Sequence, residues 1–146
     1  MNVSIRTAAV ADTMSIAKIV GELGYSASPS DIATRLPFLL DSDRYFLAVA
    51  TGSDGGLLGV INAERRLNIE SGLSYEITGL VVASIVRRAG VGSALVAAAE
   101  AWARSHGAEV MRVRSNVVRP EAHLFYARLG FGLQKTQHCY AKALQA

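Results

Sequence analysis

The sequence predicts an α+β domain built on a mixed, mostly antiparallel sheet, and three observations carry that expectation. Two alternating apolar segments, 44–50 and 57–65, flank the turn Gly52-Ser53-Asp54-Gly55-Gly56 and read as an antiparallel hairpin. A β-branched segment ending at Val82 passes through a basic glycine loop into an alanine- and leucine-rich helix. A second passage of this kind runs from a strand at 110–114 to a helix opened by Pro120. A hairpin beside two strand-to-helix crossovers gives a sheet with both antiparallel and parallel neighbours.

Taken in order, Val3-Ser4-Ile5-Arg6-Thr7 alternates and reads as a first strand. Asp12 suits the N-cap of a helix whose Met14, Ile16, Ile19, Val20 and Leu23 recur at helical spacing, and Gly24 stops it. Ser30 reads as the cap of a second helix, 31–40, which Pro37 should kink or divide. After the hairpin, the polar residues 68–72 lead into a central strand at 74–82. The helix following the glycine loop reaches about Ser105 and is ended by Gly107, with Trp102 in its core-facing stripe and His106 at its exposed end. The helix from Pro120 reaches Leu129 and is ended by Gly130; residues 133–144 then supply one or two closing strands, with Cys139 read as a buried apolar residue.

The 146 residues are the size of one ordinary domain, 1–146, and 51% apolar content is enough for a core. A net charge of +3 fits an anionic cofactor, and with no arginine- or lysine-rich block it does not favour nucleic acid. The single cysteine forbids an internal disulfide and fits a reducing compartment. The first residues lack a signal-like apolar segment, and the longest apolar run, near 91–102, is broken by Ser93 and Glu100. The expectation is a cytoplasmic protein without a membrane span. No spaced set of His, Cys or carboxylates suggests a metal.

The junction at Arg87-Arg88-Ala89-Gly90-Val91-Gly92-Ser93 is built to receive an anion. The first N–H groups of a helix lack intrahelical partners, the helix dipole is positive there, and glycines admit a phosphate close to the main chain. A Walker loop is excluded, since no lysine follows Gly92. A dinucleotide turn fits poorly, because Leu95 stands where its third glycine would fall and no acidic residue closes the strand at 110–115. What remains, Leu80-x-Val82, four residues, then Arg87-x-x-Gly90-x-Gly92, resembles the acyl-CoA loop of the GNAT superfamily of N-acetyltransferases. A second match, Ala122-x-x-Phe125-Tyr126-x-x-x-Gly130-Phe131, is similar to that family's last core helix and the turn after it.

The resemblance implies about seven strands and about four helices, with two central strands splayed apart. It implies acetyl-CoA as co-substrate, with no metal, and transfer of the acetyl group to a primary amine by direct attack in a ternary complex. The acceptor is a small-molecule or protein amine, and pairing of two copies along the C-terminal sheet edge is open. A non-catalytic acyl-CoA sensor is the alternative. The backbone from Arg88 to Ser93, together with the Arg87 side chain, would hold the diphosphate. The backbone at Leu80, Val81 and Val82 would hold the acyl arm and offer a donor to the thioester carbonyl. Tyr25, Arg35 and Phe38 lie in the insert that lines the family's acceptor pocket, and core packing is the competing reading for each.

Glu76 is a lone carboxylate in the middle of a strand, which asks for a reason. It is the candidate general base, matching the family's strand glutamate, or else an ion-pair partner of an arginine such as Arg65 or Arg114. Tyr126 stands where the family often has a tyrosine that protonates the departing thiolate, and a hydroxyl with a pKa of about 10 is neutral at pH 7. His123, one turn earlier, is the rival donor. Where the family often has a cofactor-contacting asparagine, this chain has Arg119, with Asn116 three residues before it.

Overall fold

The computed structural model describes residues 2–86, 90–115 and 120–145. The chain divides into two compact units, 1–114 and 115–146.

In the first unit a five-stranded sheet has the order β1 (Ser4–Thr7), β2 (Tyr45–Thr51), β3 (Leu57–Asn68), β4 (Gly72–Val82) and β5 (Met111–Val113). Neighbours are antiparallel except β4 and β5, which are parallel because helix α3 (Val91–Ser105) crosses between them. The hairpin arises as its glycines require, with Gly55 at φ +83, a left-handed conformation that costs other residues more. Its strands are longer than the alternation suggested: β3 runs to Asn68, which pairs directly with Gly72, so the presumed polar connection is a tight turn.

The two sheet faces are covered differently. Helices α1 (Thr13–Glu22) and α2 (Pro29–Leu40) bring Ile16, Ile19 and Leu36 against Leu47, Val49, Val60 and Val81. On the opposite face α3 buries Val91, Leu95, Val96, Ala99 and Ala103, and Trp102 stacks on Phe46 with Tyr75 edge-on to it, both at 5.5 Å between ring centres. Gly59 lets α3 sit close: a Cβ there would lie 3.0 Å from both the Leu95 side chain and the Val81 carbonyl oxygen. Burial of these α3 and sheet side chains supplies the unit's core on that side, each full aliphatic side chain contributing about 1.5–3 kcal/mol.

Several local expectations are corrected. Ser28, not Ser30, caps α2: its Oγ accepts from Asp31 N, the Asp31 carboxylate accepts from Ser28 N, and Pro29 takes the first helical position, where a missing N–H costs nothing. The helix continues through Pro37 undivided. Asp12 precedes α1 without capping it. Its carboxylate instead accepts two 2.8 Å bonds from Arg6 and one from Ala9 N.

In the second unit, α4 (Pro120–Arg128) ends at Gly130, at φ +94, and residues 131–145 form neither helix nor strand. The expectation of about seven strands is therefore wrong: the described residues give five. In the segment 133–144, Leu133, Tyr140 and Leu144 are all about 90% exposed, so they offer no buried face to favour a strand. Cys139 is likewise exposed rather than buried.

Candidate active site

Strand β4 carries an irregularity that decides which side chains share a face. Ile77 pairs with Ala63 and Gly79 with Asn62, so Thr78 is an extra residue, a bulge, whose hydroxyl donates to the Asn62 carbonyl at 3.1 Å. Simple alternation would place Glu76, Leu80 and Val82 together. The bulge instead leaves Glu76 on the face of Val81, which α1 and α2 cover at its apolar end, while Leu80 and Val82 join Tyr75 and Ile77 beneath α3.

Glu76 is 5% exposed, and its Oε2 accepts from Arg66 Nη1 at 3.2 Å and Arg114 Nη1 at 3.1 Å. The ion pair weighed for Glu76 thus exists with Arg114, but the β3 partner is Arg66. Arg65 pairs with Tyr75 in the register, faces the other side, and reaches Asp43 at 3.7 Å. Both bonds use Oε2; among the described residues, Oε1 accepts none. Glu64 lies directly across from Glu76, an unfavourable juxtaposition offset by Arg66, whose Nε is 3.6 Å from Glu64, and by Arg44 at 3.7 Å. On the far side of Glu76 the parallel register sets Arg112 beside it.

Leu80, Val81 and Val82 pair with Ile61, Val60 and Gly59 on one edge; on the other, the β4–β5 ladder ends at Ile77 and Val113. Of the proposed anion loop, Arg87, Arg88 and Ala89 lie outside the described residues, as do Asn116 and Arg119. Gly90 caps α3 at φ +83 with no side-chain hydrogen bond, and the Ala94 N–H to Gly90 carbonyl bond opens the helix, so Val91, Gly92 and Ser93 offer amides without intrahelical acceptors. Amides of this kind can receive an anion.

Tyr126 belongs to the second unit, where its ring meets Phe125 and Phe131 edge-on at 5.1 and 5.7 Å. Burial raises its pKa above that of an ordinary phenol, so the hydroxyl keeps its proton further into the alkaline range. His123, one turn away, is exposed. Tyr25, Arg35 and Phe38 are exposed too, so the core-packing reading of them fails; Leu36 and Ile32 are the residues of α2 that pack inward.

Sequence reasoning named Arg114 as a partner of Glu76 but missed Arg66 and Arg112. The signal was present in Arg112-x-Arg114 and Glu64-x-Arg66, each at the two-residue spacing that puts both side chains on one face of a strand. A shallow depression of about 120 Å³ near Glu100, Arg104 and Met111 lies on the α3 side, away from Glu76. Among the described residues no three His, Cys, Asp or Glu side chains are grouped to hold a metal ion, and no helix is long and apolar enough to cross a membrane.

The profile of the acetyltransferase (GNAT) family matches residues 14–131. The chain belongs to this family. Like other GNAT acetyltransferases, it is an enzyme that takes its acetyl group from acetyl-CoA. It is 32% identical, over 96% of its length and 90% of the relative's, to an aminoalkylphosphonate N-acetyltransferase of Salmonella typhimurium. It is 24% identical, over 82% of its length and 84% of the relative's, to an aminoglycoside N(6')-acetyltransferase of Serratia marcescens. The fold is shared with a solved aminoglycoside N-acetyltransferase in complex with CoA, at a TM-score of 0.87 and 19% identity over 98% of this chain and 96% of the other. It is shared also with the glucosamine-6-phosphate N-acetyltransferase of Arabidopsis thaliana, at a TM-score of 0.83 and 18% identity over 97% and 99% of the two chains.

Proposed function

We propose that this GNAT enzyme acetylates the primary amine of a small molecule by direct attack, with both substrates bound together. Glu76 receives the amine's proton and Tyr126 supplies one to the departing thiolate. The observation that carries the reading is a carboxylate buried on a sheet face with one oxygen still open, in a chain of this family. The naming of two relatives for small amines supports the acceptor class.

Acetyl-CoA supplies an activated acetyl thioester, and the protein's groups do the rest. The loop from Arg87 to Ser93 holds the diphosphate through main-chain amides and the Arg87 charge, and the backbone at Leu80, Val81 and Val82 aligns the acyl arm. An ammonium arriving at Glu76 finds Oε1 available, so it gains a charge-assisted hydrogen bond without displacing either arginine. The Tyr126 hydroxyl, kept protonated by burial, is a donor throughout the neutral range.

Thiol release followed with dithionitrobenzoate across a panel of amines tests the activity. In Glu76→Gln, kcat/KM should fall about 10²–10⁴-fold with partial recovery at high pH, where free amine is abundant, and Tyr126→Phe should lower kcat about 10²-fold with CoA affinity kept. Unchanged rates and pH profile in Glu76→Gln would leave that residue an ion-pair partner alone.

A further inference from the structure

We propose that the acceptor is a small amine that also bears an anionic oxyacid group, and that Arg112 and Arg114 hold this group while the nitrogen faces Glu76. The proposal deepens the acetyl-transfer reading and rests on it.

The starting point is the charge left over on one sheet face. Register places Glu64, Glu76 and Arg112 side by side on β3, β4 and β5, with Arg66 and Arg114 two residues further along on the same face. Arg44 offsets Glu64 at 3.7 Å and Arg66 offsets Glu76 at 3.2 Å. Arg112 and Arg114 are then in excess. Arg114 reaches Glu76, but its side chain is 60% exposed and already shares that carboxylate with Arg66. Arg112 makes no ion pair or side-chain hydrogen bond among the described residues, and its Nε is buried without an acceptor. A buried donor left unpaired is costly, and an acceptor brought by a ligand relieves that cost.

The geometry suits an anion of fixed shape. Guanidinium forks from two arginines near one carboxylate match the paired oxygens of a carboxylate, sulfonate or phosphonate. An amine joined to such a group by a short chain spans from Arg112 to the neighbouring Glu76, which are adjacent residues across two strands. The adjacent apolar part of the face, at Leu47, Val49, Val60 and Val81, is closed by α1 and α2, so a charged ligand is confined to the basic end. A polycationic amine would meet the surplus positive charge and be disfavoured, which separates this acceptor class from sugars carrying several ammonium groups.

The test uses the full chain and amines of matched length: 2-aminoethylphosphonate, β-alanine, neutral 2-methoxyethylamine and dicationic 1,2-diaminoethane. The wild type should favour the two anionic amines over the neutral one by about 10- to 100-fold in kcat/KM, mostly through KM, as expected for charge-assisted hydrogen bonds. Arg112→Met, close in size and confirmed folded by its circular dichroism, should bring that ratio to within a few-fold of one and weaken 2-aminoethylphosphonate binding in calorimetry by a similar factor. Arg112→Lys, which restores charge without the fork, should recover part of both.

Equal use of the neutral amine by the wild type overturns the anion site and leaves acetyl transfer standing. So does an unchanged ratio in folded Arg112→Met and Arg114→Met. Arginine-dependent binding of 2-aminoethylphosphonate without turnover of any amine supports the site and overturns acetyl transfer. Neither binding nor turnover overturns both.

Discussion

At the scale of single residues, Asp12 shows how one carboxylate can fasten a strand to a helix. Its pKa is lowered chiefly by the Arg6 hydrogen bonds, with the Ala9 amide adding to them. A folded pKa below the unfolded value of about 3.9 gives stability that is present above that pH and is lost as pH falls through the folded pKa. Asp12→Asn should therefore destabilise by about 1–2 kcal/mol at pH 7, a figure reduced for the half-exposed Arg6, and the gap to the wild type should close as pH falls through the folded pKa. Urea titrations at neutral pH and through the acid range check this; an equal gap throughout would show that charge plays no part. Asp12 was legible as a residue that ends something, since Asp before an amphipathic run is a capping signal. Its real partner was not, because Arg6 comes within reach only when β1 folds back along the helix start. The same limit applies to Arg66: Glu76 visibly needed a cation, but choosing between Arg65 and Arg66 required the parity of β3, which the pairing register fixes and the sequence does not print.

At the scale of elements, the passage from β4 into α3 depends on a glycine in the strand paired with β4. Gly59 on β3 lies under the first turn of α3, where an added methyl would meet Leu95, Val91 and the Val81 carbonyl oxygen at 3.0–3.3 Å. The carbonyl is main chain in a paired strand and cannot give way cheaply. Gly59→Ala should cost about 1–3 kcal/mol despite alanine's better entropy, and Gly59→Val more, as read by chemical denaturation. Full stability in Gly59→Ala would mean that α3 can lift off the sheet without loss. The hairpin, α3 and α4 were legible because their signals are local: glycines at the turns, proline at a first helical position, unbroken helical spacing. The Thr78 bulge was not, because it exists only in the mismatch between two strands. The supposed closing strands at 133–144 failed because a strand needs a face to bury, and the large apolar side chains Leu133, Tyr140 and Leu144 have none.

At the scale of the whole molecule, the binding of acetyl-CoA should appear as stability. A ligand at about 100 times its Kd adds about 2.7 kcal/mol, and with about 2.1 cal/mol/K of unfolding entropy per residue this is a rise in Tm of roughly 9 °C for a chain of 146 residues. Gly92→Glu should abolish the rise while keeping the fold, since a carboxylate in the first turn of α3 suits the helix dipole but repels a diphosphate. A rise of the same size in that variant would put the diphosphate elsewhere. The start of α3 after Gly90 was legible from spacing, whereas the surplus charge around Glu76 emerges only when three strands lie side by side. Finally, Trp102 is the chain's one tryptophan and stands among Phe46, Tyr75 and His106, at ring separations of 5.3–5.5 Å. The intrinsic emission of this protein is therefore a reporter on the contact between α3 and the sheet in residues 1–114: a melting curve followed by fluorescence reads that one unit, and only a second, tryptophan-independent signal reads the rest.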